Sequence, residues 1–365
     1  MSPTTTDPSR AGVITGRAGT RTTRAAMLVQ QHAPLVVAED VELPAPGVGQ
    51  VLVKVAFSGI CGKQLDEIDG RRGPDPYLPH LLGHEGAGTV VEVGAGVRKV
   101  TPGDHVVLHW MKGHGIDAAT PACARNGERV NAGCVTTFSE YTIASENRVT
   151  PIPADAPLDV ASLLGCAVTT GLGIVFNNAN LRPGQSIAVF GAGGVGLNVI
   201  QGAVLVNALP IVAVDRHAKR LEQARAFGAT HVVSTSTPGA ERALRALVGD
   251  RGFDATVDLT GVAAVRELAY RLTSDTGRTI LAGVPEHEET ITIDSFPLHF
   301  GRTITGVHGG DTKPEVDIPR YLQLWQQGKL KLNELITHRF RLKDINEAVE
   351  QVRAGEAGRC ILVMA

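Results

Sequence analysis

The run Ser186-Ile-Ala-Val-Phe-Gly191-Ala-Gly193-Gly-Val-Gly196 sets an apolar, strand-like segment directly against glycines at G-x-G-x-x-G spacing. A helical pattern follows over residues 195–206, so the turn lies between a strand and a helix. In that setting each glycine serves a separate need. Gly191 permits the tight turn, Gly193 the close approach of a pyrophosphate, and Gly196 the packing of helix on strand. The helix N-terminus then faces the phosphates with its free N–H groups. A second apolar run, Ile211-Val-Ala-Val214, ends in Asp215, about 20 residues beyond the turn, where a carboxylate accepts hydrogen bonds from an adenosine ribose. Asp215 repels a 2′-phosphate and so favours NAD over NADP, while Arg216 beside it works in the opposite direction.

Outward from this turn, strand and helix patterns alternate. A helix is predicted over 218–227, and strands over 255–258 and 278–281, which signals a parallel, doubly wound sheet. The N-terminal side reads differently. From about residue 25 to 150, short runs such as Val51-Leu-Val-Lys-Val-Ala56 and His105-Val-Val-Leu108 sit between turns such as Thr101-Pro-Gly-Asp104, predicting a β-rich, barrel-like domain. A glycine-dense helix is predicted over 160–177. Beyond residue 307 come helices over 320–327 and 343–354 and a last strand over 359–364.

Length and composition agree with a multi-domain α/β chain. The 365 residues suggest two or three domains. With 35 Lys+Arg against 37 Asp+Glu, there is no basic excess to hold nucleic acid or an anionic membrane. Five scattered cysteines (Cys61, Cys123, Cys134, Cys166, Cys360) speak against a disulfide framework and for a reducing, cytoplasmic setting. No stretch approaches the roughly 20 apolar residues of a membrane helix. The first 24 residues are polar and Thr-rich, with Arg10, Arg17, Arg21 and Arg24. They are expected to form a disordered extension, an organelle transit peptide being the other reading.

Three further contexts carry metal-binding residue types: Ser58-Gly-Ile-Cys61-Gly, Leu82-Gly-His84-Glu85-Gly86 and Leu164-Gly-Cys166-Ala-Val-Thr-Thr170-Gly171. Singly, each has a plain explanation, since a buried cysteine is usually a small hydrophobe. Together, in this order and ahead of the dinucleotide turn, they resemble the zinc-dependent medium-chain alcohol dehydrogenase family over about residues 25–365. Pro102-Gly-Asp-His-Val106 and the C-terminal Arg359 add to the likeness.

The resemblance implies a GroES-like, β-rich catalytic domain (25–168 and 308–365) joined to a Rossmann domain (169–307). It implies one catalytic zinc on Cys61, His84 and Cys166, with Glu85 near enough to enter the coordination sphere, and NAD as the second cofactor. On the cofactor side it implies Thr170 at the nicotinamide and Arg359 at the pyrophosphate. Gly191, Gly193, Gly194, Val195, Gly196, Asp215, Arg216, Arg220, Thr260, Gly283 and Val284 complete that set. The chemistry suits these ligand types: two thiolates and an imidazole leave a tetrahedral zinc one open position, where an alcohol ionises before hydride passes to the nicotinamide. Family members are commonly dimers or tetramers, and Thr290-Ile-Thr-Ile-Asp294 reads as a strand that pairs between subunits.

Two departures stand out. Many members hold a second, structural zinc on four closely spaced cysteines, but residues 110–134 contain only Cys123 and Cys134, with His109 and His114 nearby. That spacing matches no common structural site. Second, the positions that usually carry a hydroxyl for a proton relay and an Asp that orients the ligating His are here Lys63 and Gln64. Lys63 reads either as a relay or anion binder beside the zinc, or as the partner of Asp66 one turn on. Gln64 is expected to orient His84 through a neutral acceptor, leaving the metal more electrophilic and less firmly held. His308, in Gly306-Val-His-Gly-Gly310, reads as a pocket residue or as a turn histidine. The polar groups around the expected pocket favour a polar substrate, polyol- or sugar-like. Beside the zinc alcohol dehydrogenase stand a zinc-free quinone or enoyl reductase, which lacks the three ligands, and a non-catalytic NAD-binding sensor, which the Lys63-Gln64 pair alone favours.

Overall fold

The computed structural model describes residues 20–355 and 358–364, built around three sheets. Six strands form a wholly parallel sheet in the order His231–Ser234, Ile211–Asp215, Ile187–Phe190, Phe253–Asp258, Thr273–Leu281, Thr303–Gly306. Ile187–Phe190 lies in its middle and is buried along its length, which is why it reads as a continuous apolar run. The helices Gly194–Leu205, Ala218–Ala226, Ala240–Val248 and Ala263–Leu272 connect these strands. From Ile187–Phe190 the chain moves to one neighbour, Ile211–Asp215, and later returns as the other, Phe253–Asp258. The carboxyl end of Ile187–Phe190 is thus a topological switch point, the crevice in which such sheets bind ligands.

The remaining two sheets form the β-rich half. In the larger one, Gln50–Gly59 pairs with Glu85–Val93, Tyr141–Ser145 and Arg359–Val363, all antiparallel. Ile361 stands opposite Gly59 and Leu362 opposite Ser58, so the C-terminal strand closes on the segment leading to Cys61. The residues at this junction are small or apolar, and Ser58, Gly86 and Gly59 admit close strand contact.

Two expectations are corrected. Residues 21–24 belong to the strand Arg21–Leu28, paired with Val36–Leu43. Two β-branched threonines favour extension there, and Arg24 reaches Glu39 on the neighbouring strand at 2.7 Å. The rest of the expected extension, residues 1–19, lies outside the described residues. The single helix expected over 160–177 is instead a bent pair, Leu158–Gly165 and Ala167–Ala179, turned by 55°. Cys166 sits at the break with φ −152° and ψ −72°. The cause is packing, because Gly165 lies so close to the strands that a Cβ on it would come 2.4 Å from Leu108 O and 2.7 Å from Glu85 Cα. Residues 290–294 form no strand within the single chain, which leaves their expected pairing with a second copy untouched. Among the described residues no single helix is long and apolar enough to cross a membrane, and the bent pair is core: Val160, Leu163, Leu164, Val168 and Leu172 are fully buried.

Candidate metal and cofactor site

Cys61 caps the helix Gly62–Ile68 just past the strand Gln50–Gly59. The pairing of Ser58 with Gly86 brings His84 and Glu85 alongside it, and the helix break delivers Cys166 from beneath. The ligand atoms of Cys61, His84, Glu85 and Cys166 all lie within 4.8 Å of one another, the one such cluster among the described residues. Two buried hydroxyls that the sequence does not single out hold the Glu85 backbone in place. Ser58 Oγ and Thr137 Oγ1 donate to Glu85 O at 3.0 and 3.1 Å. Nothing in a serine and a threonine 79 positions apart announces such a pair.

The two sulfurs behave as one unit. A hydrogen bond from Cys166 holds Cys61 well below the usual thiol range, burial opposing and His84 and Arg359 assisting. The same bond, then burial and the Cys61 charge, hold Cys166 well above it. One proton is thus shared where a cation would replace it. Two sulfurs and an imidazole are a zinc-type donor set with a fourth position left over, so the residues present fit that metal.

Around this cluster the neighbours differ from expectation in part. Gln64 is buried, and its amide nitrogen lies 2.6 Å from His84 Nδ1, so it meets the imidazole as a donor and not as the expected acceptor. Its amide oxygen accepts the Cys61 N–H at 3.1 Å. Lys63 pairs with Glu67 at 2.8 Å, four residues on, and not with Asp66, which faces Arg71 and Arg72. The i,i+4 spacing brings the ammonium to Glu67 more directly than i,i+3 brings it to Asp66. Glu85 carries an ion pair with Arg359, both buried.

The phosphate turn has the geometry its glycines imply. Gly191 has φ +100°, and a Cβ on Gly196 would lie 2.0 Å from Gly191 O. Asp215 ends its strand with both oxygens engaged, accepting the Ala192 N–H and the His217 N–H at 2.9 Å each, with Arg220 Nη1 3.6 Å away. Arg216 turns aside to His217 at 3.1 Å, and Arg220 also donates to Gly355 O at 2.7 Å. Thr260 donates twice to buried Asp258, which also receives Gly261 N–H and Arg266; Arg266 in turn reaches Gly283 O. Asp258, which no sequence motif marks, therefore ties together the loops carrying Thr260, Gly283 and Val284. Thr170 Oγ1 is buried without a hydrogen-bond partner, a polar atom left for a ligand.

The two histidines of residues 109–134 have other partners. His109 is buried, Nδ1–H donating to Met111 O at 2.8 Å and Nε2 accepting from Thr150 Oγ1 at 2.9 Å. His114 faces Glu315 at 3.3 Å, and burial pushes the Cys123 thiol up to about 12. His308 meets Trp110 edge-on, ring centroids 4.8 Å apart.

A GroES-like strand domain and a dinucleotide sheet meeting at a Cys-His-Cys cluster define a metal-dependent, dinucleotide-linked oxidoreductase. Residues 47–154 match the alcohol dehydrogenase GroES-like domain and residues 194–327 the zinc-binding dehydrogenase family. The chain is 34% identical to the class-3 alcohol dehydrogenase of Cereibacter sphaeroides, over 93% of this chain and 99% of that one. It is 33% identical to the S-(hydroxymethyl)glutathione dehydrogenase of Paracoccus denitrificans, with the same coverage. The crystal structure of an alcohol dehydrogenase zinc-binding domain protein from Burkholderia ambifaria superposes with a TM-score of 0.87 at 32% identity, covering 95% of this chain and all of that one. The chain belongs to the zinc-binding medium-chain alcohol dehydrogenase family, and with it to the oxidoreductases that act on CH–OH donors with NAD.

Proposed function

We propose that this chain oxidises a polar, polyol- or sugar-like alcohol, or reduces the matching carbonyl, with NAD and a single catalytic zinc held by Cys61, His84 and Cys166. The observation that carries the reading is the convergence of those donor atoms with Glu85 inside 4.8 Å, linked through Arg359 to the phosphate turn. Zinc would supply Lewis acidity toward the substrate oxygen, and NAD the acceptor for hydride. The chain's own residues do the rest. The glycine turn and Arg359 receive the pyrophosphate, Asp215 the adenosine ribose, and Thr170 Oγ1 the nicotinamide end. Trp110 and His308 wall the substrate side.

Lys63 is assigned the proton relay, and Glu67 at 2.8 Å extends it toward solvent, since the two side chains are 32% and 27% exposed. The division into 25–168 with 308–365 and 169–307 belongs to the same reading; the parallel sheet spanning Ile187 to Gly306 supports it. So do a homodimeric or homotetrameric state and a cytoplasmic location, the latter supported by five free thiols.

The deciding experiment measures zinc per chain in wild type and in Cys61→Ser, followed by turnover of an alcohol panel with NAD. About one zinc, lost in the variant, supports the three-ligand site. A chain that takes up none, or that binds NADH without turnover, sinks the reading.

A further inference from the structure

Arg359 touches both halves of the candidate site. It opens the strand Arg359–Val363 and is 5% exposed. Its Nη2 is paired with Glu85 Oε1. The rest of the side chain lies along the phosphate turn, where a Cβ on Gly194 would sit 2.5 Å from Arg359 Cδ and 3.2 Å from Nη1. Its Nε is buried without a hydrogen-bond partner. A buried guanidinium with an unused donor, set against the first turn of the helix Gly194–Leu205, presents itself to an anion.

Glu85 has the complementary problem. It is fully buried, receives only the Ala167 N–H at 3.3 Å on Oε2, and a buried carboxylate requires a cation. Arg359 is one such cation. A metal held by Cys61, His84 and Cys166 is the other, since the Glu85 oxygen is within 4.8 Å of their ligand atoms. An anion at the glycine turn competes with Glu85 for the same guanidinium.

We propose that the Arg359–Glu85 pair couples the two halves of the site: a pyrophosphate at the turn draws Arg359 to itself, and Glu85 then takes its compensating charge from the metal. The inference rests on the zinc site proposed above. In the metal-free chain, drawing Arg359 away strands a buried carboxylate, and that cost weakens phosphate binding. With metal present the cost falls, so the two ligands bind cooperatively, and the coupling is the same read from either side.

The test uses the full chain, metal-free and stoichiometrically zinc-loaded, titrated calorimetrically with ADP-ribose, which carries the pyrophosphate but no nicotinamide to shield the metal. Zinc is expected to tighten the ADP-ribose Kd about tenfold, and ADP-ribose to tighten the zinc Kd by the same factor. In Glu85→Gln both effects are expected to shrink below about twofold while ADP-ribose still binds. Equal ADP-ribose affinities in the two wild-type forms overturn the coupling, as does a full effect surviving in Glu85→Gln. The wild-type comparison needs no variant, so it decides even where Glu85→Gln misfolds. A chain that takes up no zinc overturns the zinc site and the coupling together; one that binds both ligands independently overturns the coupling alone.

Discussion

The amide of Gln64 lies between two groups that both bear on the metal: its nitrogen faces His84 Nδ1 at 2.6 Å and its oxygen takes the Cys61 N–H. An imidazole that ligates through Nε2 carries its proton on Nδ1 and must donate it. In that state the amide has to turn its oxygen to His84 and give up Cys61. A carboxylate would accept from both at once, so Gln64→Asp is expected to retain zinc about tenfold more tightly in competition with a chelator. Unchanged retention would show that the amide serves as well. At Lys63, the ion pair with Glu67 is partly exposed and is expected to contribute at most about 1 kcal/mol to stability. Lys63→Ala is therefore expected to fold normally and to lose roughly 10²-fold in kcat, a common share for proton transfer. A loss below about threefold would reduce Lys63 to a salt-bridge partner. His109 makes a pH prediction. Burial pushes its pKa down to about 3, so it stays neutral in the fold where an unfolded histidine takes a proton. Its contribution is complete above about pH 6.5 and is lost as pH falls toward 3, because the unfolded chain then binds more protons. Between pH 7 and pH 5 urea unfolding is expected to show a stability loss about 2 kcal/mol larger for wild type than for His109→Gln.

At the scale of the element, the phosphate turn is legible in the sequence because its constraints are local. Gly191 needs a positive φ and Gly196 has no room for a Cβ, and both requirements appear as glycines in the sequence. A methyl group on Gly196 would meet the backbone oxygen of Gly191, which cannot swing away as a side chain would. Gly196→Ala is accordingly expected to raise the NADH Kd at least about tenfold, read by fluorescence titration. Asp215 supports at least about tenfold better kcat/KM with NAD than with NADP, and Arg216, drawn to His217, offers a 2′-phosphate little help. Equal efficiency with both cofactors would remove that assignment. Contacts set by the fold are less legible. The Arg359–Glu85 pair joins residues that only strand pairing brings together, and their sequence motifs imply separate roles for them. The break at Cys166 is hard to read because Leu163, Leu164, Ala167 and Val168 around it are apolar and helix-compatible, and Gly165 is the one local sign; what bends the helix is the backbone of Leu108 and Glu85 close against Gly165. The partner of Lys63 escapes for a smaller reason, since Asp66 and Glu67 are adjacent acids and helix geometry alone chooses between them.

For the molecule as a whole, the parallel sheet ends at Thr303–Gly306, with no further strand beyond it among the described residues. Parallel sheets are normally covered on both faces, and a bare edge invites another chain. Next to this edge, in the turn Phe296–Phe300, two aromatic rings stand 5.0 Å apart and are 67% and 64% exposed. Such an aromatic pair beside an open edge suits a second copy of the chain related by a two-fold axis, each edge meeting its equivalent. Residues 290–294, which find no strand partner in the single chain, would run alongside that junction. Sedimentation of the wild type is therefore expected to give a dimer or a tetramer built from it. The double variant Phe296→Glu, Phe300→Glu places four charges across the junction of each pair and is expected to raise the dimer dissociation constant by at least about 10²-fold, since like charges facing each other at an interface cost several kcal/mol. The metal cluster uses none of the residues at this edge, so zinc content serves as the control that the variant has folded. A wild type that sediments as a monomer removes this reading, and a double variant that stays assembled with zinc retained moves the interface to another face.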